Sequence, residues 1–150
     1  MRKFIFGISL LVLIAVSGRA DHIERDLGFG LTYLRASSFL TDLPGEKQRG
    51  STVLDLRYAD GDNADAGLVR SWLKQHATTR VPIFILINED TSAELLRKIT
   101  SPPALSGVLT LGPAVDGFTP DIVINTFPEQ ERQIYVSLDS VVDIKTLIAT

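Results

Sequence analysis

The hydrophobic positions change period several times along the chain, and each change marks an element. From Phe4 to Val16 the sequence is apolar apart from Gly7 and Ser9. Residues 29–36 (FGLTYLRA) alternate in part and are rich in strand formers, which predicts a strand. Residues 40–51 are polar and contain Pro44, Gly45 and Gly50, the composition of a loop. A short apolar strand is predicted over 52–57 (TVLDLR), followed by turn chemistry in 58–63 (YADGDN). From Ala64 to Ala77 the period becomes helical, with Leu68, Val69, Trp72 and Leu73 on one face. Residues 83–87 (IFILI) form an apolar run between turn signals, as expected of a strand buried on both faces of a parallel sheet. A short helix is predicted over 92–99, stopped by Ser101, Pro102 and Pro103, and another strand over 107–111. Residues 121–125 (DIVIN) and 132–138 (RQIYVSL) read as a last pair of strands. Asp139 is placed to cap a final helix through Ile148, with Val141, Val142, Ile144, Leu147 and Ile148 as its apolar positions. Strands alternating with helices predict a compact single α/β domain, with a mostly parallel sheet and crossover helices.

The first twenty residues stand apart from this pattern. Arg2 and Lys3, a short apolar run and the small residues Gly18 and Ala20 match a secretory signal peptide. The run is shorter than the ~20 apolar residues of a bilayer span. Cleavage is expected before Asp21, or after Ser17 with Ala15 as the other small residue; an uncleaved anchor is the competing reading. The first cut gives a signal peptide, 1–20, and a mature domain, 21–150. It removes Arg2, Lys3 and Arg19, three cations and no acidic residue, and so moves the formal net charge from −3 to −6. The expectation is an exported domain, periplasmic or secreted, with no stable membrane span after cleavage.

Composition narrows the chemistry. The 150 residues contain no cysteine, which excludes disulfides, thiolate metal sites and a thiol nucleophile. The two histidines, His22 and His76, lack ligand-like spacing, so no metal and no cofactor is expected. Asp60, Asp62 and Asp65 fail the calcium-loop pattern, because the fifth and twelfth positions counted from Asp60 are Ala64 and Ser71. An acidic pI near 5.3 argues against nucleic acid as a partner.

Three segments, in order, carry a family resemblance. They are Gly30-Leu-Thr-Tyr-Leu-Arg-Ala-Ser-Ser-Phe39, then Val53-Leu-Asp-Leu-Arg57 with Gly61 shortly after, then Pro82-Ile-Phe-Ile-Leu-Ile-Asn-Glu-Asp-Thr-Ser-Ala-Glu94. Together they resemble the catalytic domain of the tail-specific, or carboxy-terminal processing, serine proteases, within the Clp protease/crotonase-like fold. The resemblance covers roughly residues 29–115. It implies a serine at a helix start that attacks a peptide carbonyl, a partly neutral lysine as base, and backbone N–H groups that hold the oxyanion. By that resemblance Ser92 is the nucleophile, and Gly61 and Ala93 are the oxyanion donors. Family members usually also carry a peptide-binding PDZ domain, for which these residues leave no room.

The match departs from the family where the chemistry is most demanding. Asp62 stands at the second glycine of the turn, where a carboxylate would repel a developing oxyanion. The loop after 107–111 has no lysine, and none occurs between Lys98 and Lys145. Lys98 lies six residues from Ser92, about 120° round the same helix. His76, at a helix end, reads as a solvated or capping residue. Thr91 and Glu94 have the spacing of a capping box, which makes a capping role for this serine segment the better reading. The expected function is therefore an exported relative of the serine peptidases, catalytically impaired, acting on a polypeptide or protein partner. The alternative is an active peptidase that uses Ser92 with a non-standard base, or with a base supplied in trans.

Overall fold

A computed structural model describes residues 23–35, 43–45 and 49–138. The signal segment, His22, the predicted helix after Asp139 and half of the 40–51 loop lie outside the described residues.

The strands are β1 (Ile23–Gly28), β2 (Leu31–Arg35), β3 (Ser51–Asp55), β4 (Ile83–Leu86), β5 (Val108–Gly112) and β6 (Ile122–Val123). They form one sheet in chain order. The first pair is antiparallel and every later pair is parallel. Helices α1 (Asn63–His76) and α2 (Ala93–Thr100) connect β3 to β4 and β4 to β5. The third helix, α3 (Pro128–Ser137), follows β6. The mostly parallel α/β layering expected from the alternating periods is what the chain adopts.

Side-chain alternation divides the sheet into two unequal faces. On the first, Leu34, Leu54, Ile83, Ile85 and Ile87 pack against Val69, Trp72 and Leu73 of α1 and Leu95, Leu96 and Ile99 of α2. Arg70 ties the two helices together, donating from Nη1 to the Lys98 and Ile99 carbonyls at 2.9 and 3.2 Å and from Nη2 to Pro103 O at 2.8 Å. These are carbonyls at and just beyond the C-terminus of α2, where a cation is favourable. The opposite face carries Tyr33, Val53, Phe84 and Leu109 in one cross-strand row and Arg35, Asp55, Leu86 and Leu111 in the next. Phe84 and Leu86 are only half-buried. The run 83–87 is thus sealed on one side, not on both as its composition suggests, because both crossover helices lie on the first face.

Two elements differ from the sequence pattern. Strand β1 was not anticipated, although Ile23, Arg25 and Leu27 alternate with Glu24 and Asp26. Residues 132–138, expected as a strand, belong to α3 and its C-terminal cap. Pro128 occupies its first turn with Glu129 and Glu131, the residue types that favour a helix start. The buried residues are Glu131 and Leu138, with Tyr135 half-buried between them. That is a helical stripe at i, i+4 and i+7 whose first member is charged, and a count of apolar residues overlooks it.

Candidate functional site

Gly61 lies in the turn between β3 and α1, and Ser92 is the N-cap of α2. The fold brings them together: Ser92 Oγ donates to the Gly61 carbonyl at 2.7 Å, and Ser92 N donates to the Ala59 carbonyl at 3.0 Å. The turn therefore presents carbonyl oxygens to the serine, where an oxyanion hole needs N–H donors. Gly61 is buried, and a Cβ there would sit 3.1 Å from the Leu95 side chain, so close approach keeps this position small. Ala93 is exposed and begins α2, one of the positions whose N–H has no partner within the helix.

Among the described residues, no lysine or histidine nitrogen is hydrogen-bonded to the Ser92 hydroxyl. His76 stacks on Trp72 with ring centroids 4.6 Å apart, and its Nδ1 lies 2.8 Å from the Trp72 carbonyl oxygen. Asp62 instead caps α1, accepting from Ala64 N at 2.7 Å and Asp65 N at 3.0 Å, while Asp65 accepts from Asp62 N at 3.4 Å. The capping box is therefore on α1, not at Thr91–Glu94 as the spacing suggested. The hydroxyl of Thr91 accepts from Asn88 N at 3.0 Å and donates to the Leu56 carbonyl at 3.1 Å, so it fastens a turn. Glu94 pairs with Arg97 at 2.6 Å.

A second group of polar residues lies at the carboxyl ends of β2 to β5, where open parallel sheets commonly bind ligands. Asp55, 1% exposed, accepts from Tyr33 Oη at 2.5 Å. Arg57 closes a bidentate pair on it, Nε to Oδ1 at 2.9 Å and Nη2 to Oδ2 at 2.6 Å. The planar guanidinium fork suits this two-point contact. Tyr135 of α3 lies beneath two guanidiniums, with Arg35 4.1 Å and Arg57 5.5 Å from its ring centroid. Its carbonyl accepts from Arg35 at 2.9 Å. Glu131, also buried, accepts from Asn88 Nδ2 at 2.9 Å and Thr126 Oγ1 at 2.7 Å. The Asn88 Oδ1 in turn accepts from Tyr58 N and Asp90 N. Asn88 thus joins the ends of β3, β4 and α3.

A cleft of about 400 Å³ opens beside this network, bordered by Tyr58, Asn88, Asp90, Thr126, Glu131 and Arg132. A smaller space of about 160 Å³ adjoins it, between Leu86, Leu111, Gly112 and Glu131. Gly112 is required there, since a Cβ would lie 2.2 Å from the Ile87 carbonyl oxygen. Tyr58 holds a left-handed backbone conformation, φ 61°, which a non-glycine residue adopts at a cost. Its ring meets Tyr135 edge-on at 4.7 Å.

The sequence reading missed this network. The signal was present: Asp55 is a charge inside an apolar run, and Arg57 is two residues on, on the same side of an extended chain. A buried charge of that kind must be paired.

Burial, and next the Asp55 carboxylate, hold the Tyr33 phenol well above its ordinary value of 10.0. The unfolded chain ionises this phenol near pH 10, while the folded chain keeps it neutral. The stabilisation is therefore complete below pH 10 and is lost as the pH rises further. Alkaline titration of unfolding should show stability falling above that pH. Tyr33→Phe should lower stability by about 1–2 kcal/mol at neutral pH and flatten the alkaline slope.

No family model matches the sequence, and no curated protein matches it. Among solved structures, a candidate peptidase from Parabacteroides merdae ATCC 43184 superposes with a TM-score of 0.54 at 12% identity, over 81% of this chain and 65% of that one. A lipoprotein from Streptococcus agalactiae superposes with a TM-score of 0.49 at 17% identity, over 77% of this chain and 69% of that one. This chain therefore spans under two thirds of the candidate peptidase, with which it shares a fold.

Proposed function

We propose that this chain is an exported domain of the tail-specific protease fold that has lost the peptidase reaction and serves as a binding module for a polypeptide or protein partner. One observation carries the reading: the hydroxyl of Ser92 is spent as a donor to the Gly61 carbonyl at 2.7 Å. A serine in that state directs its proton at a weakly basic amide oxygen, and among the described residues no imidazole or amine is hydrogen-bonded to it. The carbonyls of Ala59 and Gly61 would also repel the negative charge of a tetrahedral intermediate. The superposition on a candidate peptidase supports the kinship at the level of the fold.

The surface supports the binding half of the reading. Every residue from Asp121 to Gln130 is exposed, and Ile122, Val123, Ile124 and Phe127 lie in this stretch. It includes β6, which lies at one edge of the sheet among the described residues. An apolar edge strand suits an extended polypeptide that adds to the sheet through its backbone.

The test is a fluorophosphonate probe on purified protein, with Ser92→Ala alongside. Wild type and variant are expected to label equally weakly, while the variant loses about 1 kcal/mol of stability with its hydrogen bond to Gly61. Labelling that vanishes in Ser92→Ala would establish an active serine peptidase and overturn the proposal.

A further inference from the structure

The cleft of about 400 Å³ at the carboxyl ends of the strands carries an unbalanced charge. Glu89, Asp90, Glu129 and Glu131 border it against a single cation, Arg132. A cleft with low-dielectric walls focuses such a field and concentrates ions of the opposite sign.

Glu131 makes this more than a group of surface charges. It is 7% exposed, and it borders both the cleft and the adjoining space of about 160 Å³. Its hydrogen-bond partners are a neutral amide, Asn88 Nδ2, and a neutral hydroxyl, Thr126 Oγ1. A carboxylate offers about four lone-pair sites, so accepting capacity is left on each oxygen. Arg57 borders the smaller space, but its Nε and Nη2 are committed to Asp55. Among the described residues no ion pair neutralises Glu131. A buried carboxylate without a counter-charge is costly, and this one lies at the wall of an open space. Its field reaches the far wall: burial, and next the Glu131 carboxylate, hold the Tyr58 phenol above its ordinary value of 10.0.

The walls select the kind of cation. Tyr58 supplies an aromatic ring, and Pro113 and Pro128 supply apolar surface. An ammonium or guanidinium on an aliphatic stem suits both, since the stem is buried while the head meets carboxylates and ring. Among the described residues no group of three or more acidic or histidine side chains is placed to hold a metal ion, which favours an organic cation. Thr126, Pro128 and Glu129 belong both to the cleft and to the exposed stretch from Asp121 to Gln130. The cleft is thus continuous with the surface assigned above to a polypeptide.

We propose that the cleft receives a lysine or arginine side chain of the bound polypeptide, with Glu131 as the buried counter-charge and Asp90 and Glu129 at the mouth. This preference rests on the reading of the chain as a binding module.

The probes are the heptapeptide acetyl-Gly-Ser-Gly-Arg-Gly-Ser-Gly-amide, its lysine and citrulline versions, and butylguanidine. Citrulline keeps the shape of arginine without its charge. Titrations of the full-length protein at low ionic strength are followed through the amide resonances of Asn88, Asp90 and Glu131. The arginine or the lysine peptide should bind about tenfold or more tightly than the citrulline peptide. Butylguanidine, which lacks backbone groups for the exposed stretch, should bind several-fold more weakly than the arginine peptide. Glu131→Gln should abolish the preference for the charged peptides. Two substitutions at exposed positions guard against an effect of that variant on folding. Arg132→Gln should tighten binding of the charged peptides about two- to threefold, and Asp90→Asn should weaken it by a similar factor. Equal affinity for arginine, lysine and citrulline peptides would overturn the proposal, as would weaker binding by Arg132→Gln. Butylguanidine that binds as tightly as the arginine peptide would assign the cleft to a free cation and overturn the polypeptide source. The two readings fail separately. Labelling that depends on Ser92 would restore the peptidase reaction and leave the charge preference standing, whereas equal affinities would remove the preference and leave a binding module of another specificity.

Discussion

Asp55→Ala is expected to lower the stability of the protein by about 3–5 kcal/mol, the usual cost of removing one partner from a buried ion pair. The carboxylate it removes is 1% exposed and accepts from Tyr33, from the Arg57 backbone N–H and from two nitrogens of the Arg57 guanidinium. Without it, a guanidinium whose side chain is 11% exposed has lost its counter-charge. It cannot respond by giving up a proton, because a guanidinium stays protonated even in a protein interior. Urea unfolding followed through Trp72 provides the measurement, since this is the single tryptophan and it is buried at the α1 face of the core. The double replacement Asp55→Leu with Arg57→Met should recover much of the loss. It removes the stranded charge and fills the space with apolar volume. If Asp55→Ala costs less than about 1 kcal/mol, the pair is no more important than an exposed surface ion pair.

The second large effect is expected at Glu131, where the loss is local. Glu131→Ala removes the acceptor of both Asn88 Nδ2 and Thr126 Oγ1, each bond being to a charged group. Such bonds contribute about 1.5–3 kcal/mol each, and the Asn88 amide is left unpaired in a buried position. The other attachments of α3 lie near its C-terminal end, where Tyr135 meets Arg35, Arg57 and Tyr58 and Leu138 is buried, whereas Ile134 and Val136 are 50% and 56% exposed. The helix should therefore open before the sheet unfolds. Amide exchange over residues 128–137 should accelerate by about a hundredfold, corresponding to roughly 2.7 kcal/mol. Exchange in β3 and β4 should change little. Glu131→Gln keeps an oxygen for Asn88 and a hydrogen-bonding partner for Thr126, so its effect should be less than half as large. Equal protection in wild type and Glu131→Ala would show that α3 is held by other means.

These two carboxylates mark the boundary between what was legible in the sequence and what was not. The helix around Leu68, Val69, Trp72 and Leu73 and the strand at Ile83–Leu86 were visible because a single face of each must be apolar, and period alone reveals such a face. Residues 132–138 were misread as a strand because α3 turns a glutamate, a tyrosine and only one aliphatic residue inward. Its attachment is polar, and no hydrophobic period reports it. The pairing of Ser92 with the turn at Gly61 was suggested by motif order. The direction of the contact, a hydroxyl donating to a carbonyl, could not be, because a peptide unit can point either of its ends at a neighbour without any change of residue.

The amino-acid sequence alone determined the layered α/β character, the crossover helices and the lack of a lysine between Lys98 and Lys145, because side-chain period and residue identity are properties of the chain itself. Only the tertiary structure decided that Asp62 caps a helix, that Asp55 and Arg57 are buried with Tyr33, and that Asn88 and Glu131 fasten α3 across the strand ends. Those facts depend on which groups meet after distant segments pack. A charge on its own in the sequence is equally compatible with water, a helix end or a buried partner, and it is the free energy of desolvation in the packed chain that selects among them.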